Sequence, residues 1–133
     1  MSSNTEWFEK SRYGMFVHWG AYSAGKRGEW AMNRERITKE EYIEEFVSKF
    51  TAKDFDPAKW ASFAKKCGFG YIVLTARHHD GFALWNSDVN EFNSVNYGPK
   101  RDLVKMYVDA LKIWLRLLSV MKPYLIRWMF LNR

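Results

Sequence analysis

The sequence predicts a parallel α/β fold, and three observations lead there. Two short apolar runs, YGMFVHW at 13–19 and YIVLT at 71–75, have the β-branched and aromatic character of strands. The segments between and after them show helical spacing with clear start and stop signals. Both runs also end in chemically versatile residues, His18-Trp19 and His78-His79-Asp80, as expected where active side chains gather at the carboxyl ends of parallel strands.

Taken in order, residues 6–12 read as a short lead-in turn or helix, followed by the first strand, which stops at Gly20. Ala21 to Asn33 contains Gly25 and Gly28 and no apolar period, which predicts a loop. Thr38 with Glu41 three residues on is a capping-box pattern, after which Tyr42, Phe46 and Phe50 recur at helical spacing. Asp56-Pro57 marks a second helix start, with Trp60, Phe63, Ala64 and Cys67 on its apolar face and Gly68 closing it. The second strand gives way to a loop from His78 to about Pro99, rich in Gly, Asn and Ser; irregular segments of this length are usually functional. Arg101 to Lys112 is a helix with Leu103, Val104, Tyr107 and Leu111 on one face.

Composition bounds the answer. A chain of 133 residues that is 47% hydrophobic and 18% aromatic suits one globular domain and argues against disorder. The single cysteine, Cys67, is expected as a buried thiol in a reducing compartment, and the first residues lack a secretory pattern, so a cytoplasmic location is expected. The net charge of +6 suggests nucleic acid until it is divided along the chain. Four of the 21 basic residues, and none of the 15 acids, lie in 113–133, so the first 112 residues are nearly balanced. Neither nucleic acid nor a membrane is therefore an expected partner, since Arg116, Lys122 and Arg127 also interrupt the one long apolar run.

His18, Glu29-Trp30 and His78-His79-Asp80 fall where this architecture puts a site. Each alone is a weak signal, because a strand-end histidine is ordinarily a satisfied structural group and a loop glutamate a solvated one. Adjacent histidines invite a metal, with His18, His78 and Asp80 as the least strained set. In extended backbone, however, neighbouring side chains point to opposite faces, so His78 and His79 are not expected to share an ion. Imidazole and carboxylate beside an indole suit a neutral hydroxylated ring better, the polar groups taking hydroxyls and the indole packing on the C–H face of a sugar. Trp85, Phe82 and Phe92 either extend that platform or anchor the loop, and Phe82 is expected in the core. Ser23 has no G-x-S-x-G elbow and AGKRGEW is no phosphate loop, which removes serine-hydrolase and nucleotide readings.

Together, WFEKSRYGMFVHWGAYS, GEW at 28–30, EEFVSKFTAKDFDPAKWASFAKKCGFGYIVLTARHHDGFALWNS and NYGPKRDLVK at 96–105 strongly resemble the start of family 29 α-L-fucosidases, over about residues 6–112. The resemblance implies the amino-terminal portion of a (β/α)8-like barrel, here its first two strands with their helices. It also implies retaining hydrolysis of terminal α-L-fucosyl bonds through a covalent fucosyl-enzyme, with no metal and no other cofactor. Carried over by position, His18 matches the HWG histidine, Glu29 and Trp30 the EW pair, and His78 and His79 the HHDGF pair, all lining the fucose pocket. Family members differ in which glutamate is the general acid/base, so Glu29 is assigned to binding first and proton transfer second. Their nucleophile is an aspartate well beyond the third strand, and no residue of this sequence matches it.

The resemblance stops after Lys112. Family members continue with a glycine, a short apolar strand and a Tyr-Tyr-Ser-like motif, whereas this chain reads IWLRLLSVMKPYLIRWMFLNR. The expected organisation is thus a partial catalytic barrel over 1–112 and an apolar, basic, helical tail over 113–133, for which a change of reading frame is the simplest explanation. Since such a barrel takes about 250 residues, open sheet edges and uncovered helix faces are expected. The expected function is that of a truncated or split α-L-fucosidase, inactive alone, whose partners are a fucosylated glycan or glycoside and a second polypeptide supplying the rest of the barrel. The alternative is a non-catalytic fucose-binding or interaction module using His18, Trp30 and His79; a third reading is nucleic-acid or membrane association through the basic tail.

Overall fold

The structure, a computed structural model, describes residues 6–117, so the expected tail lies outside the described residues from 118 on. In chain order it runs α1 (Glu6–Ser11), β1 (Gly14–Val17), the short helices α2 (Ala21–Gly25) and α3 (Ala31–Arg34), α4 (Lys39–Tyr42) continued by a π-helical turn (Ile43–Val47), α5 (Pro57–Lys66), β2 (Tyr71–Leu74) and α6 (Leu103–Leu117). β1 and β2 pair as a two-stranded parallel sheet, the arrangement that a helix-bearing crossover produces. α6 runs without interruption through Lys112, where the family pattern ends. Among the described residues no helix is long and apolar enough to cross a membrane. The described residues divide into two compact units, one built from 6–17, Asp56–Val73 and 107–117, the other from His18–Phe55 and Leu74–Met106.

In the first unit, α5 starts as predicted: the Asp56 side chain accepts from the backbone N–H groups of Ala58 and Lys59, both at 3.1 Å, and Pro57 fills the first helical position. Those bonds, the one from Lys59 foremost, hold the Asp56 carboxyl below its ordinary range. The helix closes at Cys67, with Gly68 in the left-handed region at φ 75°. Its buried face differs from the expected one. Pro57, Ala61 and Ala64 are buried, whereas Phe63 is 56% exposed and Cys67 is exposed, which overturns the buried thiol. Of the expected face, Ala64 is buried and Trp60 half-buried, so the buried stripe is the one that carries the small side chains at 57, 61 and 64, and Phe63 and Cys67 turn outward. The Tyr107 hydroxyl donates to the Ile72 carbonyl at 2.9 Å and so ties α6 to β2, both groups being buried. Phe8, Tyr13 and Phe16 remain exposed, Phe16 by 63%, as expected of an uncovered strand and helix.

The second unit holds the larger aromatic core. The Thr38 hydroxyl accepts from the Glu41 N–H, and the Glu41 carboxylate accepts from the Thr38 N–H at 2.8 Å, closing the predicted capping box. The helix then widens into a π-turn whose extra residue lets Phe46 and Val47 both be buried, and the Tyr42 and Phe46 rings stack at 4.4 Å. Phe50 and Phe55 flank Trp19, at 5.0 and 4.7 Å between ring centroids. Ala21–Asn33, expected as a loop, instead contains α2 and the start of α3. Helices of five and four residues carry too little apolar period to be seen in sequence.

The long connection from β2 to α6 is irregular but tightly held. Asn90 accepts from the Phe92 N–H at 3.0 Å, and Asn93, fully buried, accepts from Val95 and Asn96 and donates to the Asn90 carbonyl at 2.8 Å. The Arg101 guanidinium donates to the Ala52 carbonyl. Phe82 is buried, as expected, and so is Phe92, which settles Phe92 as an anchor rather than a platform residue.

Gly25 in α2 has its Cα against the Phe46 ring, so a Cβ there would fall on the aromatic carbons. Gly25→Ala is expected to destabilise the protein by about 1–3 kcal/mol through overpacking, read as a lowered urea midpoint with an unchanged slope.

Candidate functional site

The five residues singled out from sequence converge in the second unit. His18 follows the last residue of β1, and its Nδ1 lies 3.3 Å from the Thr75 Oγ1, just past β2. His78 and His79 sit at the tip of a tight loop whose stem is closed by the Arg77–Ala83 bridge and by the Leu84 N–H donating to the Ala76 carbonyl at 2.9 Å. Glu29 and Trp30 occupy the turn that leads into α3.

The rings form a continuous aromatic patch. Trp30, 39% exposed, stacks on His79 with 3.7 Å between centroids and 26° between planes. His79 meets His78 edge-on at 4.6 Å, and His78 in turn meets His18 at 5.4 Å and Tyr22 at 5.6 Å. This corrects the expectation that the paired histidines face opposite ways. The chain turns at residues 79–80 rather than staying extended, so both imidazoles lie in one cluster. Among the described residues no three His, Cys, Asp or Glu side chains are arranged to hold a metal ion.

The backbone N–H of His79 donates to the His78 Nδ1 at 2.8 Å. A nitrogen that accepts cannot carry a proton, so neutral His78 is the Nε2–H tautomer. Burial holds the His78 pKa below the ordinary imidazole value, helped by the neighbouring His79 and His18 and opposed by Glu29 and Asp80. The negative charge of Glu29 acts in the same sense on both, favouring the protonated form of His78 and of Tyr22. Neutral His78 is thus a hydrogen-bond donor beside a stacked indole–imidazole face, a set able to grip hydroxyls and an apolar ring face together.

Asp80 entered the sequence reading only as part of the strand-end cluster and as a candidate metal ligand, and neither Tyr42 nor Tyr22 was read as a site residue. Asp80 is 5% exposed: one oxygen accepts from the Tyr42 hydroxyl at 2.7 Å and the other from the Phe82 N–H at 3.1 Å, so it is bound to the protein and does not face a ligand. Burial raises its pKa against the pull of those two bonds. Tyr42, read only as a core residue, is its partner; a tyrosine in a phenylalanine stripe was the available signal, because a buried hydroxyl needs one. Tyr22, in the stretch read as loop, has a buried hydroxyl with no partner among the described residues. Burial, followed by the charges of Asp80 and Glu29, raises its pKa well above the ordinary phenol value and keeps it neutral.

A family model described as Alpha-L-fucosidase matches residues 1–118. The chain is 38% identical over 124 residues to plasma alpha-L-fucosidase of Homo sapiens, covering 80% of this chain and 26% of that protein. It is 40% identical over 114 residues to tissue alpha-L-fucosidase of Rattus norvegicus, covering 74% and 25%. Among solved structures it is similar to alpha-L-fucosidase isoenzyme 1 from Paenibacillus thiaminolyticus, with a TM-score of 0.78 at 40% identity over 84% of this chain and 26% of that one. The Thermotoga maritima alpha-fucosidase in complex with fucose gives 0.72 at 37% identity over 84% and 34%. The chain spans about a quarter of the length of these curated relatives.

The lowered His78 pKa gives a signed pH effect. The unfolded chain binds the proton more readily, so this contribution is constant above the ordinary imidazole range and stability falls as pH drops from there through the His78 value. Urea midpoints across pH 5 to 8 are expected to decline toward acid more steeply in the parent than in His78→Gln, which cannot titrate; parallel curves would contradict the assignment.

Proposed function

The chain belongs to the alpha-L-fucosidase family, and from that premise we propose that its residues are the amino-terminal portion of a fucosidase catalytic barrel, gripping an α-L-fucosyl ring with His18, Glu29, Trp30, His78 and His79. The observation that carries this is the Trp30–His79 stack at 3.7 Å with the His78 edge beside it. A fucose ring has an apolar C–H side that suits an aromatic face and hydroxyls that suit imidazole and carboxylate. The relative from Thermotoga maritima, which is described in complex with fucose, supports the choice of sugar.

Retaining glycoside hydrolysis needs two carboxyl groups about 5–5.5 Å apart, one of them a nucleophile. Glu29 can supply one, as a binder and secondarily as general acid/base. Asp80 does not supply the other, since both its oxygens are engaged inside the protein. These 133 residues therefore hold part of the pocket without the nucleophile and do not turn over substrate by themselves. The substrate is a fucosylated glycan or glycoside, and the remaining barrel, with its aspartate nucleophile, comes from further polypeptide.

Calorimetry with L-fucose is expected to give a heat of binding for the 133-residue chain, with affinity about tenfold weaker in Trp30→Ala, equivalent to about 1.4 kcal/mol. No heat in a folded sample defeats the sugar site. Aryl fucoside hydrolysis by the purified chain is expected to be absent, and turnover would refute the missing nucleophile.

A further inference from the structure

We propose that Asp80 is a positioning residue: anchored by the Tyr42 hydroxyl, its carboxylate holds the His78-His79 turn in the one conformation that presents both imidazoles to the same ligand. This role rests on the sugar-site reading for the ligand, but not for the geometry. A carboxylate removed from water is costly unless its oxygens are occupied, and here each has a different task. One oxygen, accepting from the Phe82 N–H at 3.1 Å, closes the turn locally, and the other, accepting from Tyr42 at 2.7 Å, tethers the loop tip to α4. Within the tip, the Gly81 N–H donates to the His78 carbonyl at 3.1 Å, with Gly81 in the left-handed region at φ 74°. The His79 N–H donates to the His78 Nδ1, so the orientation of the turn sets the tautomer of His78 as well as its direction.

The anchor is itself fixed. Tyr42 is the last residue of α4, and the chain widens immediately after it into a π-turn, a rare pattern that tends to mark functional sites. Phe46 stacks on Tyr42 at 4.4 Å, so the phenol is held from its own helix. The groups that bear on His78 are His18, Tyr22, Glu29 and His79 together with Asp80. With both oxygens occupied, Asp80 acts through the histidines rather than on the sugar.

Nitrogen-resolved NMR of the imidazoles in the 133-residue chain reads this directly. The parent is expected to show His78 as a single Nε2–H tautomer, Asp80→Ala to give a mixture, and Asp80→Asn to restore the parent signature, because an amide keeps an oxygen for the Phe82 N–H and a donor for the Tyr42 oxygen. A folded Asp80→Ala chain with the parent tautomer overturns the proposal. Failure of Asp80→Asn to restore it also overturns it, assigning the effect to charge instead. If Asp80→Ala does not fold, Tyr42→Phe is read in its place: a mixed tautomer supports the tether and an unchanged one overturns it. L-Fucose calorimetry on the same samples separates the two ideas. A parent with an ordered tautomer and no heat defeats the sugar reading and leaves positioning intact, whereas loss of order together with at least tenfold weaker binding joins them.

Discussion

A buried carboxylate imposes a constraint that few other groups do: its oxygens must both find donors, and the donors must then stay where they are. Asp80 finds them in the Tyr42 hydroxyl and the Phe82 amide. The first of these donors is set four residues earlier, because the Tyr42 N–H bonds to the Thr38 carbonyl at 2.9 Å and Thr38 is the residue that fixes the helix start. A capping threonine thereby determines where a phenol points, the phenol fixes a carboxylate, and the carboxylate fixes a turn bearing two histidines. The dependence runs from local backbone chemistry to the site without any step that is itself catalytic.

Irregular chain can be as ordered as helix when side chains replace the missing backbone ladder. From Trp85 to Asp102 the backbone forms neither helix nor extended strand, yet Asn90, Asn93 and Ser94 satisfy its N–H and C=O groups, and the Asp102 carboxylate accepts from the Asn86 N–H at 3.0 Å. Asn side chains suit this because they carry a donor and an acceptor on a short stem. Phe82 and Phe92, 5.0 Å apart, bind the same stretch to the aromatic core. The loop tip with the paired histidines is therefore presented by a stiff support, the condition under which an aromatic and hydrogen-bonding site can be selective.

The first unit has a different balance. Its two strands are four residues each, no residue of β1 is fully buried, and Phe8, Phe16 and Phe63 stand exposed. On α5 the small residues Ala61 and Ala64 are buried, while Trp60 is half-buried and Phe63 exposed. Under the function proposed above, further strand–helix units of the barrel would cover these side chains, since relatives of this family are about four times as long as the chain.

What the sequence determined alone is what short-range physics encodes: both strands, the capping box at Thr38, the Asp56-Pro57 start, the burial of Phe82, and, through HWG, EW and HHDGF, the family and the five residues that meet in one cluster. Adjacent residues restrict one another through hydrogen bonds and sterics, so those features survive without knowledge of the fold. Tertiary structure decided the rest. The buried face of α5 depends on which stripe approaches a neighbour, so Phe63 and Cys67 could not be placed from periodicity, and α2 and α3 are too short to show one. How His78 and His79 come to share a side was also beyond spacing and periodicity, because it follows from the turn at residues 79–80, and the turn is held by a hydrogen bond from Tyr42, distant in sequence, whose only trace there is a hydroxyl among phenylalanines.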